Sequence, residues 1–128
     1  MHEMVIDWIR HGAINRPSTL ATVELPSGRR RTYAEMHERV SRIAGWLLSL
    51  GVTRGDRVGV LALNSTDDLD IIFATWRIGA VHLALNFRLT PAELDFIVGN
   101  AEPVLLIHDR EMLKTVEALS VSVEQVVE

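Results

Sequence analysis

The stretch Arg57-Val58-Gly59-Val60-Leu61-Ala62-Leu63 decides the fold. From Val58 to Leu63 every residue is apolar or glycine, with no alternation between polar and apolar positions. A strand with one wet face alternates. A strand covered on both faces does not, and such strands belong to parallel sheets. Working toward the C-terminus, Asn64-Ser65 starts a helix in which Leu69, Ile72, Phe73 and Trp76 recur at helical spacing, and Gly79 ends it. Val81 to Leu85 is a second apolar strand. Thr90-Pro91-Ala92-Glu93 starts another helix, with proline at its first position and Leu94, Ile97, Val98 and Ala101 as its inward stripe. Val104 to Ile107 is a third buried strand. Asp109 opens a helix with Met112, Leu113, Val116 and Leu119 inward, and Val123 to Val127 is a fourth strand. This alternation implies parallel strands joined by right-handed crossovers.

Working toward the N-terminus, Thr53-Arg54-Gly55-Asp56 is a turn and Gly51 stops a helix carrying Val40, Ile43, Ala44, Leu47 and Leu48 on one stripe. Thr32-Tyr33-Ala34-Glu35 is a capping box at the start of that helix. Leu20 to Leu25 and Arg29 to Tyr33 flank Pro26-Ser27-Gly28, the pattern of a β-hairpin. Met4 to Asn15 reads as a first helix with Val5, Ile6, Ile9 and Ala13 on one face, blocked by Pro17. The fold expected is α/β: one domain over residues 1–128, a mostly parallel sheet with helices on its faces, preceded by a helix and a β-hairpin. Its last element is an apolar strand with no helix after it, so the chain is expected to be the N-terminal fragment of a longer protein. The surface near Val121 to Val127, with Met112, Val116 and Leu119, is expected to self-associate as a two-fold homodimer.

Composition narrows the function. The 128 residues are 48% hydrophobic and 23% charged, which suits a packed core rather than disorder. The net charge of −4 argues against a nucleic-acid partner, since phosphate binding calls for a basic surface. Cysteine is absent, which excludes disulfides, thiolate zinc sites and cysteine nucleophiles. No apolar run reaches the roughly 18 residues of a membrane span, and the start carries no secretory pattern. A cytoplasmic location is expected.

No residue pattern carries chemistry by itself. Both the G-x-x-x-x-G-K-[ST] loop and the G-x-G-x-x-G fingerprint are missing, and no G-x-S-x-G elbow surrounds a serine. Gly51, Gly55 and Gly59 read as a helix stop, a turn and a close-packed strand position. His2, His11, His37, His82 and His108 lack partners at metal spacing, and His82 and His108 read as core or edge residues. Asp67, Asp68 and Asp70 fail the EF-hand pattern, because Phe73 and Gly79 stand where glycine and glutamate are required. They read as first-turn acids favoured by the helix dipole. Arg29, Arg30 and Arg31 read as a solvated hairpin strand, with a phosphate site as the competing possibility.

A resemblance goes further. Thr32-Tyr33-Ala34-Glu35, Leu50-Gly51-Val52 with Gly55-Asp56-Arg57-Val58, Asn64-Ser65, Trp76-Arg77-Ile78-Gly79-Ala80-Val81, and Leu85-Asn86-Phe87-Arg88-Leu89-Thr90-Pro91 occur in that order. This series resembles the N-terminal region of the adenylate-forming superfamily, the AMP-forming acyl-CoA synthetases and their relatives. The Asn86-to-Pro91 stretch is most similar to fatty-acyl and aryl CoA ligases. The resemblance implies a parent enzyme that uses ATP and Mg2+ to convert a carboxylate to an acyl-adenylate, then transfers the acyl group to coenzyme A. The expected substrate is a long- or medium-chain fatty acid. The expected partners are the remainder of the parent chain, the acid, ATP and CoA. The family's Ser/Thr/Gly-rich loop, ribose aspartate and distal lysine have no counterpart here, so the 128 residues are expected to be inactive, with no catalytic residue and no metal site. One carry-over remains: Arg110 and Lys114 stand where some relatives place basic residues near the 3′-phosphate of CoA, with ordinary surface residues as the plainer reading. The alternatives are a carrier-protein-loading adenylation domain and a non-catalytic interaction module.

Overall fold

A computed structural model describes residues 6–128. Helix α1 (Trp8–Asn15) leads into the antiparallel hairpin β1 (Leu20–Glu24) and β2 (Arg29–Thr32), and then helix α2 (Tyr33–Ser49). Next come β3 (Arg57–Leu61), α3 (Thr66–Arg77), β4 (Val81–Leu85), α4 (Pro91–Ala101) and β5 (Leu105–His108). A 3-10 turn (Arg110–Met112), α5 (Leu113–Glu117) and β6 (Gln125–Val127) complete the order. Strands β3 to β6 form a parallel sheet in the order β4-β3-β5-β6, with Val58 beside His82 on one side and Leu105 on the other.

The sheet separates two apolar clusters. Val58, Val60, Leu105 and Ile107 face Met36, Val40, Ala44 and Leu47 of α2 and Ala74 of α3. Leu61, Leu85 and Leu106 face Leu94 and Val98 of α4, with Met112, Val116 and Leu119 closing that side. The middle strand is covered on both faces, as its unbroken apolar run requires. Gly59 sits at a close approach in the sheet: a Cβ there would stand 3.3 Å from Leu106 Cδ1, and that side chain would have to give by a few tenths of an ångström. Gly51, at φ +88°, takes the left-handed conformation that ends α2.

The expected strands and parallel pairing are present, with β4 at its expected bounds and the other strand ends shifted by at most two residues. Four packing expectations need correction. The N-terminal helix starts at Trp8, capped by Asp7, which accepts from Arg10 N at 3.0 Å; Met4 and Val5 lie outside the described residues, and Ile6 is exposed. Leu48 of α2 is exposed, and Met36 is buried in its stead. Leu113 is likewise exposed, because the 3-10 turn before α5 rotates it off the Met112–Val116 face. The largest difference is α3. It buries Asp70, Ala74 and Thr75 and turns Leu69 and Trp76 outward. The small Ala74 and Thr75 let the helix lie close against the sheet and α2. Thr75 satisfies its hydroxyl on Ile71 O at 2.7 Å.

Candidate functional site at the carboxyl ends of the strands

The crossovers leave β3 in opposite directions, toward β4 first and then, through β4, across to β5. Such a switch point opens a crevice beyond the carboxyl ends of the strands, and ligands of open α/β sheets bind there. Here the crevice between β3 and β5 has a volume of about 420 Å³. Its polar wall is Ser65, Asp67, Asp68, His108, Asp109, Arg110 and Glu111. A second hollow of about 330 Å³, over β4, shares Val60, Ala62 and Asp68 with it and adds Asn64, His82, Asn86 and Arg88.

Local capping builds these walls. Ser65 accepts from Asp68 N at 3.2 Å and so starts α3 beside the end of β3. Asp109 caps the 3-10 turn through Met112 N at 3.1 Å, and its other oxygen accepts from Leu63 N at 2.8 Å. One carboxylate thereby ties the loops after β3 and β5 together. His108 is buried and satisfied, its Nδ1 lying 2.8 Å from Asp109 O. His82 is different. Its side chain is 8% exposed, and Nε2 stands 3.7 Å from Asp68 Oδ1 with no hydrogen-bond partner. Burial pushes its imidazole below the ordinary value, against the pull of the Asp68 carboxylate.

The charge of the main crevice is acidic. Of its four carboxylates Asp67 is paired with Arg29 and Arg39, which leaves Asp68, Asp109 and Glu111 beside Arg110, itself paired with Glu128 Oε1 at 2.9 Å. Lys114 lies exposed on α5 and does not line the crevice. The structure thus brings Arg110 to the crevice and leaves Lys114 outside it. Polyphosphate is repelled by such a wall and finds no glycine-rich loop to donate backbone N–H groups. No group of three His, Asp or Glu side chains among the described residues could hold a metal ion. The described residues thus offer no glycine-rich phosphate cradle and no three-ligand metal group.

A second polar cluster was not legible from local sequence. Asp70, fully buried on α3, accepts from Arg31 Nη1 at 2.6 Å and Arg39 Nε at 2.9 Å. Burial pushes its carboxyl upward, and the two guanidinium groups pull it back. Asp67 pairs with Arg39 at 2.9 Å and with Arg29 at 3.3 Å, and Arg29 also meets Glu24 at 3.1 Å. Arg29 and Arg31 are therefore hairpin anchors rather than solvated side chains, while Arg30 is exposed as expected. Asp67 and Asp68 do occupy the first turn of α3, but Asp70 is a buried counter-ion. Across the same helical layer, Arg77 Nε donates to Asp7 Oδ2 at 2.6 Å. Burial pushes the Asp7 carboxyl up, but the hydrogen bonds from Arg77 and from Arg10 N, with the Arg77 charge, together hold it below the ordinary carboxylate value.

Residues 9–128 match the family model of the AMP-binding enzymes. The chain is 42% identical over 105 residues to a feruloyl-CoA synthase of an Amycolatopsis species, a match covering 82% of this chain and 21% of that protein. It is 42% identical over 90 residues to a long-chain-fatty-acid–CoA ligase of Thermus thermophilus, covering 70% of this chain and 17% of the relative. The fold superposes on the N-terminal domain of FACL13 from Mycobacterium tuberculosis with a TM-score of 0.89 at 28% identity, covering 94% of this chain and 33% of that one. The chain thus spans about a fifth of the length of the curated relatives it matches.

Proposed function

Since the chain belongs to the family of AMP-binding enzymes, we propose that it is the N-terminal part of an ATP-dependent acid–CoA ligase. In this reading the longer protein condenses a carboxylic acid with ATP to an acyl-adenylate and pyrophosphate, then passes the acyl group to coenzyme A. The observation that carries the reading is the family match over residues 9–128, which covers nearly the whole chain. A long- or medium-chain fatty acid is the proposed substrate, supported by the fatty-acid ligase among the relatives. The feruloyl-CoA synthase supports an aromatic acid as the second reading. Mg2+ would accompany ATP in the longer protein, and dependence on ATP and CoA favours the cytoplasm. No described helix is long and apolar enough to cross a membrane.

The chemistry of adenylation belongs to residues outside these 128, because the crevice is acidic and has no phosphate loop. Residues 1–128 act as one domain in this reading and supply structural support. Arg110 and Lys114 would approach the 3′-phosphate of CoA from the rim; both side chains are exposed and basic. Taken alone, the chain is proposed to dimerise through the edge strand β6, where Val126 is 47% exposed.

The test is acid-dependent ATP–pyrophosphate exchange with fatty and aromatic acids, run on the longer gene product and on the 128-residue chain. Exchange is expected only in the longer protein. Exchange in the 128-residue chain would overturn the assignment of chemistry, and none in the longer protein would overturn the ligase reading. Transfer to a carrier protein instead of CoA would favour a carrier-loading domain.

A further inference from the structure

Leu69 and Trp76 of α3 face away from the sheet, and Phe73 between them is half-buried, with one side packed on the core. Trp76 is 54% exposed and meets Phe73 edge-on, with ring centres 5.5 Å apart. Trp8 on α1, 62% exposed, and Ile6 border the same surface. Ile6, Asp7, Trp8, Phe73, Trp76 and Arg77 line a shallow hollow of about 120 Å³.

The polar groups in this hollow make no demand on solvent. Arg77 gives Nε and Nη2 to the two oxygens of Asp7 at 2.6 and 3.2 Å, and Nη1 to Ser41 Oγ at 2.8 Å. Its Nη2 also lies 3.1 Å from His37 Nδ1. The ion pair is neutral and largely satisfied within the fold. What remains at the surface is aromatic and aliphatic, the composition of a face that is covered in its working state.

We infer that this α1–α3 face is a docking surface for a later segment of the same polypeptide, which inserts an apolar side chain between Trp8 and Trp76. The inference rests on the reading of the chain as part of a longer ligase. Its occupant is argued from length and size. The matched N-terminal domain from Mycobacterium tuberculosis accounts for 94% of this chain, but this chain accounts for only 33% of it. Two thirds of that domain must therefore be placed around an equivalent of this fold. A hollow this small takes one or two side chains, whereas a stable interface between separate proteins buries roughly 1,200 Å² or more, some 20–30 residues a side. A tethered segment escapes the entropic cost of bringing two molecules together, so a small apolar contact suffices for it.

Tryptophan fluorescence of the longer gene product tests this. Trp46 on α2 is removed by Trp46→Phe, so that in this region Trp8 and Trp76 report, and the signal of each is assigned by difference with Trp8→Phe and Trp76→Phe. Acrylamide quenching of both is expected several-fold weaker than for free N-acetyltryptophanamide, with emission shifted to shorter wavelength. Quenching at the level their 62% and 54% exposure allows would overturn the inference, even in a protein that forms acyl-adenylate normally. Protection that appears only as protein concentration rises would also overturn it, in favour of a second copy. Loss of adenylation with the tryptophans protected would count against the ligase reading and leave this surface standing.

Discussion

Asp70 holds the hairpin to the sheet domain. Its carboxylate is fully buried, so its value lies in its two arginine partners. Removing one side of a buried pair typically costs 3–5 kcal/mol, because the remaining charge is stranded. Arg39 is 43% exposed and can turn to water, so Asp70→Ala is expected to cost about 2 to 3 kcal/mol by urea denaturation. Arg31 is only 14% exposed, so Arg31→Ala should cost more than Arg39→Ala; the reverse order would show that Arg39 is the principal partner. The histidines govern the next pH window. Burial depresses His82 and His37, the latter helped by the Arg77 cation. The unfolded chain then takes up protons first as pH falls. Stability is complete above the ordinary histidine value near 6.5 and declines as pH drops below it. The double variant His37→Gln/His82→Gln should flatten the stability profile between about pH 6.5 and 5. A profile unchanged by the double variant would assign the decline to other groups.

Helix ends and close approaches act at the next scale. Thr32 and Thr90 each accept from the backbone N–H three residues on, at 3.3 Å, while Glu35 and Glu93 reach back to the threonine N–H groups at 3.0 and 2.8 Å. Thr90→Ala is expected to lower stability by about 1 kcal/mol, the usual worth of such a cap. At Gly12 two effects compete. Alanine in mid-helix would gain about 1 kcal/mol in propensity. Its Cβ would lie 2.4 Å from Tyr33 Cδ1, however, and overpacking costs about 1–3 kcal/mol. Gly12→Ala should therefore destabilise, detected as a lower melting temperature; a rise would mean that α1 moves freely off α2. The stripe of α3 shows what periodicity conveys. The spacing of Leu69, Ile72, Phe73 and Trp76 predicts one inward face; Phe73 does pack on the core, whereas Leu69 and Trp76 turn outward. Which face meets the core depended on Ala74 and Thr75, whose small size permits close packing, and on arginines more than thirty residues away in sequence.

At the scale of the whole molecule the sheet has two open edges, β4 and β6. Val81 on β4 and Val126 on β6 are each 47% exposed. Edge strands with free backbone groups pair with other chains. The 128-residue chain is expected to show a concentration-dependent mass in light scattering, and Val126→Lys should restore the monomer. A monomer at all concentrations before substitution would refute the edge-strand dimer. The candidate crevice also belongs to this scale. It exists because two chain segments far apart in sequence, 60–71 and 107–111, end together above the sheet.

The linear sequence determined the element order, the parallel pairing and the family. Unbroken apolar runs, capping boxes and terminal glycines are local signals whose physics acts within a few residues, and the ordered motifs from Thr32 to Pro91 add up along the chain. Only the tertiary structure decided the outward turn of Leu69 and Trp76 on α3, the burial of Asp70 between Arg31 and Arg39, the unpaired Nε2 of His82, and the gathering of Asp67, Asp68 and Asp109 at one crevice. Arg110 reached that crevice and Lys114 did not, although four residues separate them, because the 3-10 turn changes the helical phase between them. Charges on separate elements interact through space, and their partners follow from the packing of small residues and the crossing of strands, which no local window of sequence contains.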